Sequence, residues 1–187
     1  MDVLNSIIVY DKQLLLFLHS KGSSNWDSFW LMLTNPIFWI PFFLVLFYLG
    51  FKSYGIKPTL FTTIITISAG LSSLLIVHYI KNYFQRIRPI NDINLNKSMR
   101  LIVEQNDFSF VSGHSTLSFT ISFILYWMLK KDYKYSFLLF IFPVLFSYSR
   151  IYLGLHFPMD ILVGLLLGYI LATIFFKLIK IAITKII

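Results

Sequence analysis

The sequence predicts an all-α membrane protein, a polytopic bundle of five to six helices with an N-terminal amphipathic helix lying in the membrane interface. Three observations carry this expectation. The composition is 57% hydrophobic and only 13% charged, with a mean hydropathy of +0.75, whereas soluble domains carry about a quarter charged residues. Apolar runs close to the length of a membrane crossing, about 20 residues, recur along the chain. Lysines stand at the ends of those runs, as they do where a helix leaves the bilayer. At 187 residues the chain suits one domain, predicted as 1–187 with an interfacial helix at 1–22 and a cap loop at 82–111.

The charge balance, 16 Lys+Arg against 8 Asp+Glu for a net +8, would raise the question of nucleic acid in a soluble protein. Here the lysines flank apolar runs, so the bilayer and its anionic lipids are the expected partners, with no nucleic acid. Without cysteine there is neither a disulfide framework nor a thiolate metal site. The first residues, M-D-V-L-N-S, lack the basic region and cleavage site of a signal peptide, so the spans are expected to direct their own insertion.

Residues 3–19 are apolar but interrupted by Asn5, Asp11 and Lys12. Leu14, Leu15, Phe17 and Leu18 share one side of a helical wheel, which reads as the interfacial helix, with a tilted first span as the alternative. A K-G-S-S-N turn follows, and Trp26, Trp30 and Trp39 are expected in the aromatic belt. Asn35-Pro36 resembles an N-cap with Pro at the first helical position, opening a span to about Phe51 that is short enough to need residues 29–34 as its first turns. Further spans are expected at 60–80, 112–129, 136–153 and 157–176, five in all. Lys52, Lys57, Lys130, Lys131, Lys134, Lys177, Lys180 and Lys185 fall at one end of this bundle, the cytoplasmic one by the positive-inside rule. The long polar stretch after residue 82 and the 149–160 segment fall together at the other.

Three constellations lie at that second end. In 81–89, Lys81 and Arg88 are seven apart and share a face if the second helix continues past the surface, while Pro89 turns the chain out of the helix. Snorkelling basic residues look the same. In 111–115, V-S-G-H-S opens the third span, where free backbone N–H groups and the helix dipole favour an anion and Gly113 permits close approach. A serine cap beside an incidental histidine is the plain alternative. In 149–160, Gly154 ends one helix and Pro158 opens the next. Asp160, one turn after His156, can accept from one ring nitrogen and leave the other free to attack. Arg150 supplies a fork suited to phosphate oxygens, although a buried Arg–Asp pair with a bystander histidine would use the same residues.

Taken together, K-x6-R-P, S-G-H and S-R-x5-H-x3-D, in this order on one side of a helical membrane protein, resemble the signature of the type 2 phosphatidate phosphatase family, whose site is shared with vanadium haloperoxidases. The likeness runs from about Ser23 onward. The family usually has Pro before S-G-H, where this chain has Val111. The resemblance implies that Lys81, Arg88, Arg150, Ser112 and the Gly113 N–H bind the phosphate. It implies His156 as the nucleophile, Asp160 as its orienting carboxylate and His114 as the acid that protonates the leaving oxygen, with no cofactor or metal. His78 is read as a helix contact and His19 as interfacial. Lys97 and Arg100 in the cap stretch are candidates to meet a second phosphate. A bacterial cytoplasmic-membrane enzyme with an extracytoplasmic site and a lipid substrate follows by analogy. Undecaprenyl diphosphate ranks first as substrate, ahead of phosphatidylglycerol phosphate and lipid A phosphates. A non-catalytic phospholipid-binding protein would need the cations but not His114, His156 and Asp160, and haloperoxidase chemistry sits poorly with five spans.

Overall fold

The computed structural model describes residues 2–186, so residues 1 and 187, and the side chain of Lys185, lie outside the described residues. Seven α-helices are described: α1 (Asp2–Ser20), α2 (Ser24–Leu33), α3 (Ile40–Tyr54), α4 (Ile56–Phe84), α5 (Gly113–Leu129), α6 (Ile141–Tyr152) and α7 (Pro158–Ile186). Helices thus stand at each of the five expected spans. Three stretches, Pro36–Tyr54, Ile56–Asn91 and Pro158–Ile181, are long and apolar enough to cross a membrane, and Ser136–Tyr152 is a shorter apolar segment.

The bundle is built around α5 and α7, which pack against each other more extensively than any other pair. Gly164 and Gly168 make this approach possible. A Cβ at Gly164 would stand 2.9 Å from Ser115 Cβ, and one at Gly168 would stand 2.8 Å from the Thr116 carbonyl oxygen. Small residues four apart let helix backbones touch where no hydrophobic drive pulls them together. The facing side of α5 is polar, yet its hydroxyls are satisfied by backbone carbonyls: Ser115 donates across to the Ile161 carbonyl of α7 at 2.8 Å, and others donate within the helix. Thr116 and Thr120 donate to the carbonyls four residues earlier at 3.0 and 2.7 Å, as a bilayer interior requires.

Four sequence expectations change here. Residues 29–34 do not lengthen the first span; they belong to α2 and its C-cap, Thr34, after which Asn35 accepts from the Ile37 N–H and starts a new turn. Trp39 is not a belt residue: it is buried against Leu33, Phe142 and Phe146, and its indole donates to the Leu33 carbonyl. Trp30 stacks on Tyr152, so of the three tryptophans Trp26 is the exposed one. The buried line of α1 is Asp11, Leu15 and His19, while Leu14 and Phe17 are exposed. Leu15 belongs to both sets, and Asp11 and His19 make the packed line more polar than the apolar run suggests.

The fourth change concerns α4. It ends at Phe84 because Gln85 adopts a left-handed conformation, φ 47°, and its N–H closes onto the Lys81 carbonyl. Arg88 lies beyond the helix in extended backbone, fixed before the Pro89 turn. Residues 85–112 then cross the end of the bundle with two short 3-10 turns. This loop is pinned at Gly154, whose positive φ of 70° and close neighbours, Met99 and Ile90, leave no room for a side chain.

Candidate active site

The end of α6, the turn after it, the first turn of α7 and the start of α5 meet under the 85–112 loop. His156 sits in the turn, 1% exposed. Its Nδ1 lies 3.3 Å from Asp160 Oδ2, an oxygen that also accepts from the Phe157 N–H at 2.9 Å. A carboxylate on Nδ1 fixes the proton there and leaves the Nε2 lone pair directed away from Asp160. That nitrogen faces Arg88 Nη1 at 3.2 Å. Burial, and then the charges of Arg88 and Arg150, hold the ring's pKa well below the ordinary imidazole value of 6.5. His156 is therefore a neutral, oriented imidazole facing a cationic wall.

Arg88 is itself 1% exposed. Its Nη1 donates to the Leu155 carbonyl at 2.7 Å, and its Nε and Nη2 donate to Asp107 Oδ1 at 3.0 and 2.7 Å. Lys81 donates to the other Asp107 oxygen at 2.6 Å. The two cations therefore converge as the sequence suggests, but across a loop carboxylate rather than along one helix face. Burial pushes the Asp107 carboxyl up, yet the Lys81 hydrogen bond and the Arg88 guanidinium outweigh it and hold the pKa at about 2.

Arg150, 6% exposed, is held by neutral oxygens: Nη1 donates to Thr34 Oγ1 at 2.9 Å and Nη2 to Gln105 Oε1 at 2.8 Å, while its buried Nε has no partner among the described residues. A buried cation with neutral partners favours an anion beside it. Ser112 is fully buried, caps α5 by accepting from the Ser115 N–H, and donates its own N–H to the Asp160 carbonyl at 3.1 Å. That bond ties the S-G-H turn to the helix bearing Asp160. Gly113 faces Val77. His114, half-buried, stacks on Phe146 with ring centroids 4.6 Å apart. Val111 is 1% exposed.

Other sequence candidates fall away from this cluster. Arg100 is turned to Asp27, donating from Nη1 to both carboxylate oxygens at 2.8 and 3.0 Å, so its charge is engaged there. His19 is not interfacial: it is buried, and its Nε2 accepts from the Arg100 N–H. His78 contacts Asn82 one turn on. Conversely, Asp107, Gln105, Thr34 and Asp11, which lie outside the three motifs, and Arg86, at an unspecified position of K-x6-R-P, hold or brace these side chains. Among the described residues no group of three or more His, Cys, Asp or Glu side chains stands close enough to hold a metal.

Residues 58–183 match the profile of the PAP2 superfamily. The chain belongs to that superfamily. It is 30% identical over 166 residues to a lipid A 4'-phosphatase of Bacteroides thetaiotaomicron, covering 84% of this chain and 72% of that protein. It is 32% identical over 108 residues to an undecaprenyl-diphosphatase of Bacillus subtilis, covering 58% and 53%. Among solved structures, Aquifex aeolicus LpxE superposes with a TM-score of 0.66 at 27% identity over 88% of this chain and 93% of that one. A phosphatidylglycerolphosphate phosphatase of Bacillus subtilis shares the fold, with a TM-score of 0.68 at 23% identity over 98% and 89%. This PAP2 protein is a membrane-associated lipid phosphatase.

Proposed function

We propose that the chain forms one phosphatase domain, 1–187, in which residues 82–111 cap the site and His156 Nε2 attacks the phosphorus of a lipid phosphate. The observation that carries this is the placement of His156, with Asp160 behind Nδ1 and Arg88 in front of Nε2. In the first step the Nε2 lone pair forms a P–N bond as the P–O bond to the lipid breaks, and His114 gives its proton to the leaving oxygen. In the second, water attacks the phosphohistidine, His114 takes the water's proton, and the P–N bond breaks to release phosphate. Lys81, Arg88 and Arg150, with the Ser112 hydroxyl and the Gly113 N–H, bind the oxygens on which negative charge gathers. These cations supply the positive charge a metal would otherwise bring, so the reaction is proposed to be metal-independent, with no cofactor.

A lipid substrate fits the surroundings. Helices α3, α4 and α5 flank an apolar groove of about 540 Å3 that includes Ile40, Leu74, Leu117, Ile121 and Leu125. Leu117 follows His114 by one turn, so a tail in this groove would lead up to the site. A bacterial cytoplasmic membrane with the site facing outward is supported by the lysines gathered at the opposite end. A lipid A phosphate draws the stronger support as substrate, because that relationship extends over 84% of the chain. Undecaprenyl diphosphate, the sequence-based expectation, is the second reading, supported by relatives that match about half of it.

Phosphate release from lipid A, undecaprenyl diphosphate and phosphatidylglycerol phosphate, with and without chelator, tests the proposal. Turnover that survives chelator and vanishes in His156→Ala is expected, as is alkali-stable phosphate on His156 after rapid quench. An active His156→Ala enzyme would show the nucleophile to lie elsewhere.

A further inference from the structure

The chemistry proposed for the site uses only the face of Asp160 that meets His156. Its other oxygen is held by Arg86, at one of the unspecified positions of K-x6-R-P. Arg86 Nη1 donates to Asp160 Oδ1 at 2.6 Å, and Arg86 Nη2 donates to Asp11 Oδ2 at 2.7 Å. The second Asp11 oxygen accepts from the Met159 N–H at 2.9 Å. The Arg86 guanidinium lies 3.8 Å from the centroid of the Phe157 ring. Asp11 is 5% exposed and Asp160 is fully buried. A row of carboxylate, guanidinium and carboxylate therefore runs from α1 to the residue behind the nucleophile.

Each link has a physical reason. A carboxylate without solvent keeps its charge only beside a cation and hydrogen-bond donors. The planar fork of arginine fixes not only the charge but the angle of the group it binds. Asp11, by accepting from the backbone of the helix start that carries Asp160, sets where that fork lies relative to α7. Carboxylates that orient a working imidazole depend on such outer partners.

We propose that Asp11 and Arg86 are positioning residues, through which the N-terminal helix holds Asp160 at the angle that aims His156 Nε2 at the phosphate. This rests on the reading of His156 as nucleophile. A clip that merely fastens α1 to the bundle would make the same contacts, but it predicts different kinetics. Another attachment of α1, Lys12 to Asp92 at 3.0 Å, reaches the cap loop but none of the residues that face the phosphate, and supplies the control.

The test is steady-state kinetics of the full-length protein with the lipid phosphate that the wild type hydrolyses fastest. Asp11→Asn and Arg86→Gln are expected to lower kcat by roughly 10- to 100-fold with KM within about twofold. Arg86→Lys should recover part of the loss, and Asp11→Asn should cost no further turnover in the Arg86→Gln background. Lys12→Met should leave kcat unchanged. Wild-type kcat in Asp11→Asn and Arg86→Gln would overturn the proposal, as would a loss that only follows the fraction of protein remaining folded. If Arg86→Gln does not fold, Asp11→Asn decides by the same split. A wild type inactive on every lipid phosphate overturns the functional reading and this inference with it, whereas an active wild type with unaffected variants overturns this inference alone.

Discussion

The two ends of the bundle handle charge in opposite ways. At the site end Arg88, Arg150, His156 and Asp160 are buried, and each is fixed by named partners. At the other end Lys130, Lys131 and Lys177 are exposed around an open cavity of about 680 Å3 with Trp127 and Tyr169. Lys130 rests over the Tyr126 ring. Burying an ionised group costs several kcal/mol unless other groups restore what water gave it. The site end carries that cost where chemistry needs dry, oriented charge; the lysine end avoids it, as topology and anionic headgroups require only a field.

Substitutions can break this contrast in order of severity. His156→Ala is expected to lower kcat by on the order of 10³-fold or more, measured as phosphate release, with the helical circular dichroism unchanged. Arg150→Lys replaces a fork with a point charge and should lower kcat/KM by about 10²-fold, although the net charge is the same. If lysine served equally well there, geometry would not distinguish the two ends. Asp107→Asn removes the carboxylate that Lys81 and Arg88 share, so inhibition by inorganic phosphate or vanadate should tighten by up to about tenfold. Unaltered inhibition would mean that these cations do not meet the phosphate. Ala at Lys130 or Lys131 should change turnover by less than about twofold, the size of ordinary surface effects.

The pH response sharpens the same comparison. The folded pKa of His156 lies well below its unfolded value near 6.5, so the unfolded chain takes up this proton first. Its contribution to stability is intact above about 6.5 and declines as pH falls from there toward the folded pKa. Thermal unfolding followed from pH 8 to 5 should show a decrease in Tm that is smaller in His156→Ala.

What the sequence disclosed follows from the range of each interaction. His156 and Asp160 are four residues apart at a helix start, so their pairing is local and readable from spacing. Helices at the five expected spans were also legible from apolar runs, although the one at 136–153 is a short helix, α6, behind a 3-10 turn. The shared face of Lys81 and Arg88 was not, because Gln85 turns left-handed and ends α4 before Arg88. Asp107 reaches Arg88 from 19 positions on, through a loop with no periodicity to read. Asp11 did leave a trace, as a charge interrupting an apolar run. That it faces inward depends on Arg86, 75 positions away, which no local pattern reveals. Trp39 shows the converse error, since an aromatic near a span boundary was assigned to the belt by type alone.

The contact of α7 with α5 through Gly164 and Gly168 has one more consequence. With little more than the Ser115 Cβ and Oγ between Gly164 and α5, and the Thr116 carbonyl facing Gly168, the spacing between the helix bearing His114 and the one bearing Asp160 is set close to backbone thickness. A bilayer that thins or thickens around the protein can tilt this pair as a unit, but it has no soft layer between them to compress. The separation of these two helices is in that sense built into the main chain and insulated from the surrounding lipid.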